Sequence, residues 1–271
     1  MKHQINIDLS QIKEISLKGI GRAAVFMGLG INAARTDEFK DYHLSNETFL
    51  RIIPENVDNA QVKDFKKHFE QWIISCGLRE LIETFSVYLC AIFKACLLAS
   101  INKKKMLIED PDKQLKSFEW KGVEKQLKTL RDRFNVKTSK EIYFKTINQV
   151  RNCITHRRGI VGVEDLGDKN CLRICWWALE PFIATPSGEI PINPQIPEGG
   201  IYLKDGGTIC LRVVEKEREF QLGEVIKLNP NDLYEICLLV TLATEDILKS
   251  TFDFLKSTGI EIKQTEIKKN K

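Results

Sequence analysis

The sequence predicts a mainly α fold, an antiparallel helical bundle with an antiparallel β insertion before the last bundle helix. Three observations lead to this prediction. Apolar residues recur at spacings of three and four over much of the first 160 residues. The period then changes to two, and a second long helical pattern begins at Pro230. We therefore assign 1–162 and 229–258 to the bundle, 163–228 to the insertion and 259–271 to a flexible tail.

Composition places the chain among ordinary soluble globular proteins. Its 271 residues can form one sizeable core or two modest ones, and 43% of them are hydrophobic and 29% charged. The first residues lack the basic start and apolar stretch of a signal peptide, and no run of about 18 uncharged apolar residues follows. Several of the eight cysteines lie within apolar helical patterns, as reduced cysteines do. We expect a cytoplasmic protein without a membrane segment.

The first third of the chain predicts a short strand, a helix and a loop. Residues 1–9 alternate, with Ile5, Ile7 and Leu9 against Asn6 and Asp8, which is typical of a short strand, and Ser10 is a candidate cap for the next element. Helical spacing extends over 11–35, with glycines that permit close approach of a neighbouring backbone. Residues 36–59 have mixed polarity and no steady period, which predicts a loop.

The helix predicted over 61–100 is the central element. Its apolar stripe is too wide for a surface helix and requires at least two partner helices. We expect its aromatic side chains to lie in the core rather than to form a stacking platform, and Gly77 is a candidate kink. Residues 102–112 predict a polar connection, and helical spacing resumes over 119–134 with lysines and arginines on the outer side.

The next helix is bounded by recognisable signals. Thr138 and Glu141 have the spacing of a capping box, and Gly159 is the kind of residue that ends a helix in the left-handed conformation. Between them runs an apolar stripe that predicts one buried face: Tyr143, Ile147, Val150 and Ile154.

After residue 162 the alternation predicts strands separated by turns. The expected strands are 171–177, 200–203, 208–214 and 220–228, with a hairpin turn at 205–207. Five of the eight prolines fall between 181 and 197, so an extended irregular loop is expected there. Asn229 and Pro230 then have the form of a helix start, and the last helix is apolar to Leu255.

Polar residues cluster near the end of the helix over 138–158. At about 100° per residue, Asn152 and His156 share a stripe, whereas Arg151 lies roughly 140° from His156. One helix cannot easily aim both side chains at one small target, but two copies across a two-fold axis can share a cleft. A His or Arg near a helix C-terminus also often only complements the helix dipole, and spacing alone leaves that interpretation open.

Arg151, a polar Asn152, three further residues and His156, followed by two arginines and a glycine, resemble the Arg-x4-6-His motif of the HEPN superfamily (higher eukaryotes and prokaryotes nucleotide-binding). The resemblance covers about 60–160 and 230–257 and leaves the insertion unexplained. It implies a helical bundle that acts as a homodimer, with the motif at the dimer interface. Many members of that superfamily are metal-independent ribonucleases in toxins and phage-defence systems.

The resemblance also implies roles for the motif residues. His156 would take the proton from the 2′-OH of RNA, Arg151 would stabilise the charge of the transition state, and Asn152 would hydrogen-bond a phosphate oxygen or hold the imidazole. The products would carry a 2′,3′-cyclic phosphate and a 5′-hydroxyl, and no metal or cofactor is expected. The expected RNA-binding side chains are Arg157, Arg158 and Lys145.

Charge is unevenly distributed along the chain. Residues 103–158 contain sixteen Lys or Arg and seven Asp or Glu, which gives this segment a net charge of +9. Since the whole chain has a net charge of +4, all other residues together carry −5. A basic region of this kind attracts polyanions such as RNA. A solvated helical face has the same composition, and the basic side of the helix over 119–134 either guides RNA or only keeps that helix soluble.

Other chemistries fit the sequence less well. Cys171, Cys175 and Cys210 lack the paired spacing of a zinc site, and Cys153 next to apolar neighbours is expected to border the core rather than to form a thiolate pair with His156. Two hypotheses remain. The first is a dimeric HEPN-type endoribonuclease, a toxin or phage-defence effector with an antitoxin of the nucleotidyltransferase type as a candidate partner. The second is a non-catalytic HEPN-like module for dimerisation or for binding a nucleotide or protein.

Overall fold

The computed structural model describes residues 7–36, 58–102, 110–167, 169–192, 200, 202–204 and 206–259. The predicted mainly α fold is confirmed: six helices and a small sheet make up these residues. The helices are α1 (Leu9–Arg35), α2 (Asn59–Asn102), α3 (Pro111–Glu119), α4 (Val123–Phe134), α5 (Glu141–Arg157) and α6 (Pro230–Ser257). The strands are β1 (Leu172–Thr185), β2 (Gly188–Pro191) and β3 (Thr208–Phe220).

Helix α2 is the centre of the bundle, as its wide apolar stripe predicted. It packs against all five other helices. Phe85, Tyr88 and Phe93 in its second half are fully buried. An 18-residue window of α2 is apolar enough to cross a membrane by composition, but 61% of that window is buried inside the protein. Core helices of soluble proteins pass the same test of length and composition.

Small residues allow α1 and α2 to approach closely. A Cβ atom added to Gly19 of α1 would lie 2.4 Å from the Cβ of Thr84 in α2. Gly77 of α2 similarly makes room for the side chain of Met27. Helix α2 stays helical through Gly77, so this glycine provides space for α1.

The predicted start of α1 is wrong by two residues. Asp8, not Ser10, is the cap, because the Asp8 carboxylate accepts hydrogen bonds from the backbone N–H groups of Ser10 (2.9 Å) and Gln11 (3.1 Å). Leu9 is therefore helical rather than the end of a strand. Ile7 and Asp8 precede α1 and are not in a strand. The rest of the predicted strand, most of the predicted loop over 36–59 and most of the predicted tail lie outside the described residues.

The polar connection predicted over 102–112 is wrong at its end, since α3 begins at Pro111. Asp110 caps α3 by accepting a hydrogen bond from the Lys113 N–H at 3.0 Å. Phe118 is buried and stacks on Phe93 of α2, with 4.1 Å between the ring centroids. This stacking fixes α3 on the central helix. Helix α4 is a separate helix that begins at Val123, four residues later than predicted.

The sheet is antiparallel with the order β2-β1-β3. The irregular loop predicted over 181–197 is wrong for its first part, since β1 continues to Thr185 and β2 (Gly188–Pro191) follows after a turn that contains Pro186. Residues 193–197 lie outside the described residues. The C=O of Pro181 accepts a hydrogen bond from the Ile192 N–H at 3.1 Å. Since N–H and C=O of one residue point the same way in an antiparallel strand, the donor that Pro181 lacks would face the end of β2 and not β3.

Two of the predicted strands are wrong. The described residues of 200–203 are not in a strand. Past Phe220, the segment 221–228 makes only a single bridge, between Val225 and Ile160. Gly223 has a φ of +81°, a turn conformation that interrupts the predicted strand.

The insertion and the helices share one hydrophobic core. Leu172, Ile174 and Trp176 alternate toward the bundle and are buried with residues of α5 and α6. The indole N–H of Trp176 donates to the Glu235 carboxylate of α6 at 2.8 Å, and Lys216 of β3 donates to the same carboxylate at 2.7 Å. These contacts attach the first half of the sheet to α6.

The two predicted helix starts differ in outcome. At the start of α6, Asn229 is the cap, as predicted, and it forms a capping box with Asp232 through side-chain to backbone hydrogen bonds of 2.9 and 3.0 Å. At α5 the prediction is wrong, because the Thr138 hydroxyl donates to Asp246 of α6 at 2.8 Å. Glu141 is instead an acceptor for the Arg131 guanidinium of α4.

Candidate active site

The end of α5 is held in place by its buried face and by backbone bonds. Ile147, Val150 and Cys153 are fully buried. The helix ends at Arg158 and Gly159, both with positive φ (55° and 77°), so the predicted glycine stop is preceded by an arginine in the left-handed region. Backbone hydrogen bonds of 2.8 to 2.9 Å then join 159–161 to 223–226.

Arg151 lies on the side of α5 that faces α2. Its guanidinium donates to the Glu83 carboxylate of α2 at 2.9 Å and to the Asn152 side-chain oxygen at 3.0 Å. The side chain is 23% exposed. Its Nε atom is buried and has no acceptor among the described residues. A buried donor without a partner is uncommon in folded proteins and calls for an explanation, such as a bound water or ion or a catalytic role.

His156 lies at the opposite side of the helix end and is exposed. Among the residues that the structure describes, its imidazole has no hydrogen-bond or ion-pair partner. Asn152 is partly buried on the same stripe, and its side-chain oxygen is bonded to Arg151. One chain therefore brings Arg151 and Asn152 together and leaves His156 directed to solvent on another face of α5.

The three expected RNA-binding residues differ in their exposure and in their ion pairs. Lys145 and Arg158 are exposed. Arg157 instead pairs with Asp165 through two donors, one of them at 2.7 Å, and with Glu164 at 3.1 Å. These two acids form the short 3-10 turn Val163–Asp165 that follows α5. The structure thus gives Arg157 a role in fixing the chain after α5, and leaves Lys145 and Arg158 available to a ligand.

The Asp165 carboxylate is ionised in this arrangement. Burial alone would raise its pKa, but the hydrogen bond from Arg157 and the backbone N–H of Gly162 (2.9 Å) outweigh burial and lower the pKa.

Cys153 borders the core, as the sequence predicted. It is fully buried, and its Sγ donates a hydrogen bond to the Ile160 carbonyl at 3.3 Å. Burial, with a further contribution from Asp165, raises the pKa of the thiol to about 11. A thiol with this pKa is a poor nucleophile at neutral pH, which argues against a thiolate pair of Cys153 with His156.

Sequence reasoning missed Trp72, Arg79 and Glu83, which lie on α2 beside the end of α5. The expectation that all aromatic residues of α2 are core is wrong for its first half, where Trp72 is 62% exposed and Phe65 and Phe69 are also exposed. The available signal was the spacing of seven and four between these three residues, which puts them on one face of α2.

Two cavities lie along that face of α2. One, of about 600 Å³, lies between α1 and α2 and is lined by Trp72, Arg79 and Glu83, among others. The other, of about 450 Å³, lies between α2 and the end of α5 and is lined by Trp72, Arg79, Thr155 and Arg158, among others. Because the cavities share Trp72 and Arg79, they form one continuous surface next to the motif.

Within the described residues, no three His, Cys, Asp or Glu side chains are grouped so that they could hold a metal ion. In comparisons with known proteins, no family model, no curated protein and no solved structure matches the chain. The functional interpretation therefore depends on the geometry of the site and on the motif.

Proposed function

We propose that this protein is a metal-independent endoribonuclease of the HEPN type, a cytoplasmic homodimer that acts as a toxin or phage-defence effector. The observation that carries the proposal is the arrangement at the end of α5. An exposed imidazole with no partner among the described residues and an arginine oriented by two hydrogen bonds lie on different sides of one rigidly held helix end. Neither side chain is buried out of reach of a ligand.

Each residue has a role in cleavage by 2′-OH attack. His156 accepts the proton of the 2′-OH, and its exposure gives RNA access to the ring. Arg151 is permanently charged and stabilises the developing charge on the phosphate, with its orientation fixed by Glu83 and Asn152. Lys145 and Arg158 bind the flanking phosphates.

The angle between the two catalytic side chains requires a second subunit. Arg151 and His156 diverge by roughly 140° around α5, so a compact site takes the arginine from one subunit and the histidine from the other. A two-fold axis near the end of α5 generates two such sites.

The first experiment measures cleavage of an end-labelled RNA in the presence of EDTA. Wild type and the control variant His68→Ala are expected to cut the RNA and leave a 2′,3′-cyclic phosphate. His156→Ala should lose about 100-fold or more of the rate, because general base catalysis contributes that much. His68 is a matched control, since it is an exposed histidine on α2 whose one ion-pair partner among the described residues is Asp64 of the same helix.

A second experiment tests the shared site. Equal amounts of Arg151→Ala and His156→Ala subunits are unfolded together and refolded. Mixed dimers retain one intact site of two, so random mixing should recover about a quarter of the wild-type activity. If each site took both residues from one subunit, the mixture would stay as inactive as its parents.

The alternative is a non-catalytic HEPN-like module for dimerisation or for binding a nucleotide or protein. It is favoured by the ion pair with Glu83, which already occupies part of the Arg151 guanidinium. Wild-type protein that cuts no RNA and is harmless on expression would establish this alternative.

An antitoxin of the nucleotidyltransferase type is the proposed partner of the nuclease, and its co-expression should suppress growth arrest.

A further inference from the structure

Trp72 is a large aromatic side chain that the fold leaves in solvent. It is 62% exposed in the first half of α2. Its ring stacks on that of Phe69, with 6.2 Å between the centroids and 15° between the planes. An exposed apolar patch of this kind commonly marks a binding surface.

Trp72 lines the cavity of about 450 Å³ between α2 and the end of α5. That volume is within the range of sites that hold small ligands. The end of α5 contributes Thr155 and Arg158 to the wall, and Gln71 and Ser75 of α2 add polar groups beside the indole. The cavity thus combines an exposed aromatic ring with hydrogen-bonding side chains.

The charge of this cavity favours an anion. Arg79 and Arg158 line it, no acidic side chain does, and neither arginine makes an ion pair with any residue that the structure describes. The neighbouring cavity between α1 and α2 differs, because Glu80 and Glu83 line it and balance its arginines. A negatively charged ligand is therefore attracted to the end next to α5.

We propose that this cavity is a stacking subsite for one unpaired nucleotide of a single-stranded RNA. The base stacks on Trp72, and its phosphates contact Arg79 and Arg158. Base stacking on aromatic residues combined with a basic groove is the general mode by which proteins hold single strands. The proposal rests on the proposed function, since Arg158 is two residues from His156 and an RNA strand bound here continues to the cleavage site.

The test measures binding in a variant that does not cut. A fluorescein-labelled ten-nucleotide oligouridine is titrated by anisotropy with His156→Ala protein and with the same protein carrying Trp72→Ala. Loss of one stacked base should weaken binding between about five-fold and one-hundred-fold. The matched control is Trp120→Ala, because Trp120 is 90% exposed at the end of α3 and its loss should leave the affinity unchanged.

An abasic oligonucleotide separates stacking from charge. It carries the same phosphates without bases, so Trp72→Ala should bind it as well as the parent does, whereas Arg79→Ala should weaken both ligands. Equal weakening of both ligands by Trp72→Ala would mean that the substitution acts on the fold or on dimer formation, and the subsite would be rejected. A change of molecular mass from dimer to monomer, with unchanged RNA affinity, would assign Trp72 to a protein interface instead.

Intrinsic fluorescence gives an independent readout. Oligouridine should quench the emission of the His156→Ala protein, and Trp72→Phe should remove most of the quenching while Trp120→Phe retains it. Failure of the subsite is distinguishable from failure of the nuclease. Cleavage by wild type with Trp72-independent binding rejects only the subsite, whereas Trp72-dependent binding without cleavage by wild type rejects only the nuclease.

Discussion

Helix α1 offers a test of the packing in which two chemically identical substitutions have opposite effects. An alanine Cβ at Gly19 would lie 2.4 Å from the Thr84 Cβ, about 1 Å closer than an ordinary contact. Thr84 cannot relieve this by rotating, because its Cβ is attached directly to the α2 backbone. The helices must separate, which costs about 1–3 kcal/mol in overpacked cores.

The same helix contains the control. Gly21 is exposed, and an added Cβ there meets no atom within 4 Å. Gly21→Ala should therefore raise the free energy of unfolding by about 0.5–1 kcal/mol, through helix propensity alone. Gly19→Ala gains the same helix propensity, but the cost of overpacking is larger than this gain. Its free energy of unfolding should therefore fall by up to about 2 kcal/mol.

Urea unfolding followed by circular dichroism measures both variants. The midpoint should fall for Gly19→Ala and rise for Gly21→Ala, with an unchanged dependence on urea concentration. Equal midpoints for the two variants would refute the close α1–α2 approach.

Three further predictions concern buried polar groups. Asp165→Asn should lower the free energy of unfolding at neutral pH by about 1.5–3 kcal/mol. Because the folded-state pKa of Asp165 is lowered, the difference in unfolding free energy between wild type and Asp165→Asn is fully present above pH about 4 and should shrink as the pH falls through the folded-state pKa. A difference that is independent of pH would argue against the pair with Arg157. Glu235→Leu leaves the Trp176 indole without its acceptor and should cost about 1–3 kcal/mol in urea unfolding, whereas an unchanged midpoint would contradict this. Cys153, with a pKa of about 11, should resist iodoacetamide at pH 8 in the native protein and react in urea, as read by mass spectrometry; rapid native modification would show that the thiol is accessible.

The long helices were predictable because their signals are local. Helical periodicity placed α1, α2 and α6 within two residues or so of their observed ends. The local predictions were wrong where a contact with a residue distant in the sequence determines the structure. Thr138 has the right spacing for a capping box but bonds to Asp246, which is 108 residues away. Strand β1 passes through Pro181 because the donor that this residue lacks would face the end of β2 and not β3.

The angle between Arg151 and His156 was predictable, but the contacts around these residues were not. The spacing of Arg151 and His156 around α5 follows from helix geometry alone. Helix geometry could not identify Glu83 as the partner of Arg151, because the two residues are 68 positions apart in the sequence and lie on different helices. The exposure of Trp72 was missed for a related reason: an aromatic residue in an apolar stripe is buried only where a neighbouring helix covers it.

Among the residues that the structure describes, the part of β1 that belongs to the shared core is its first half, Leu172 to Ala178. Ala178 is the last of the alternating buried residues of β1, and the strand continues for seven residues to Thr185, roughly 23 Å. The turn at Pro186 and Ser187 is therefore remote from α5. An epitope or a fluorescent label inserted at this turn would tag the protein for imaging or capture while leaving the end of α5 unaltered.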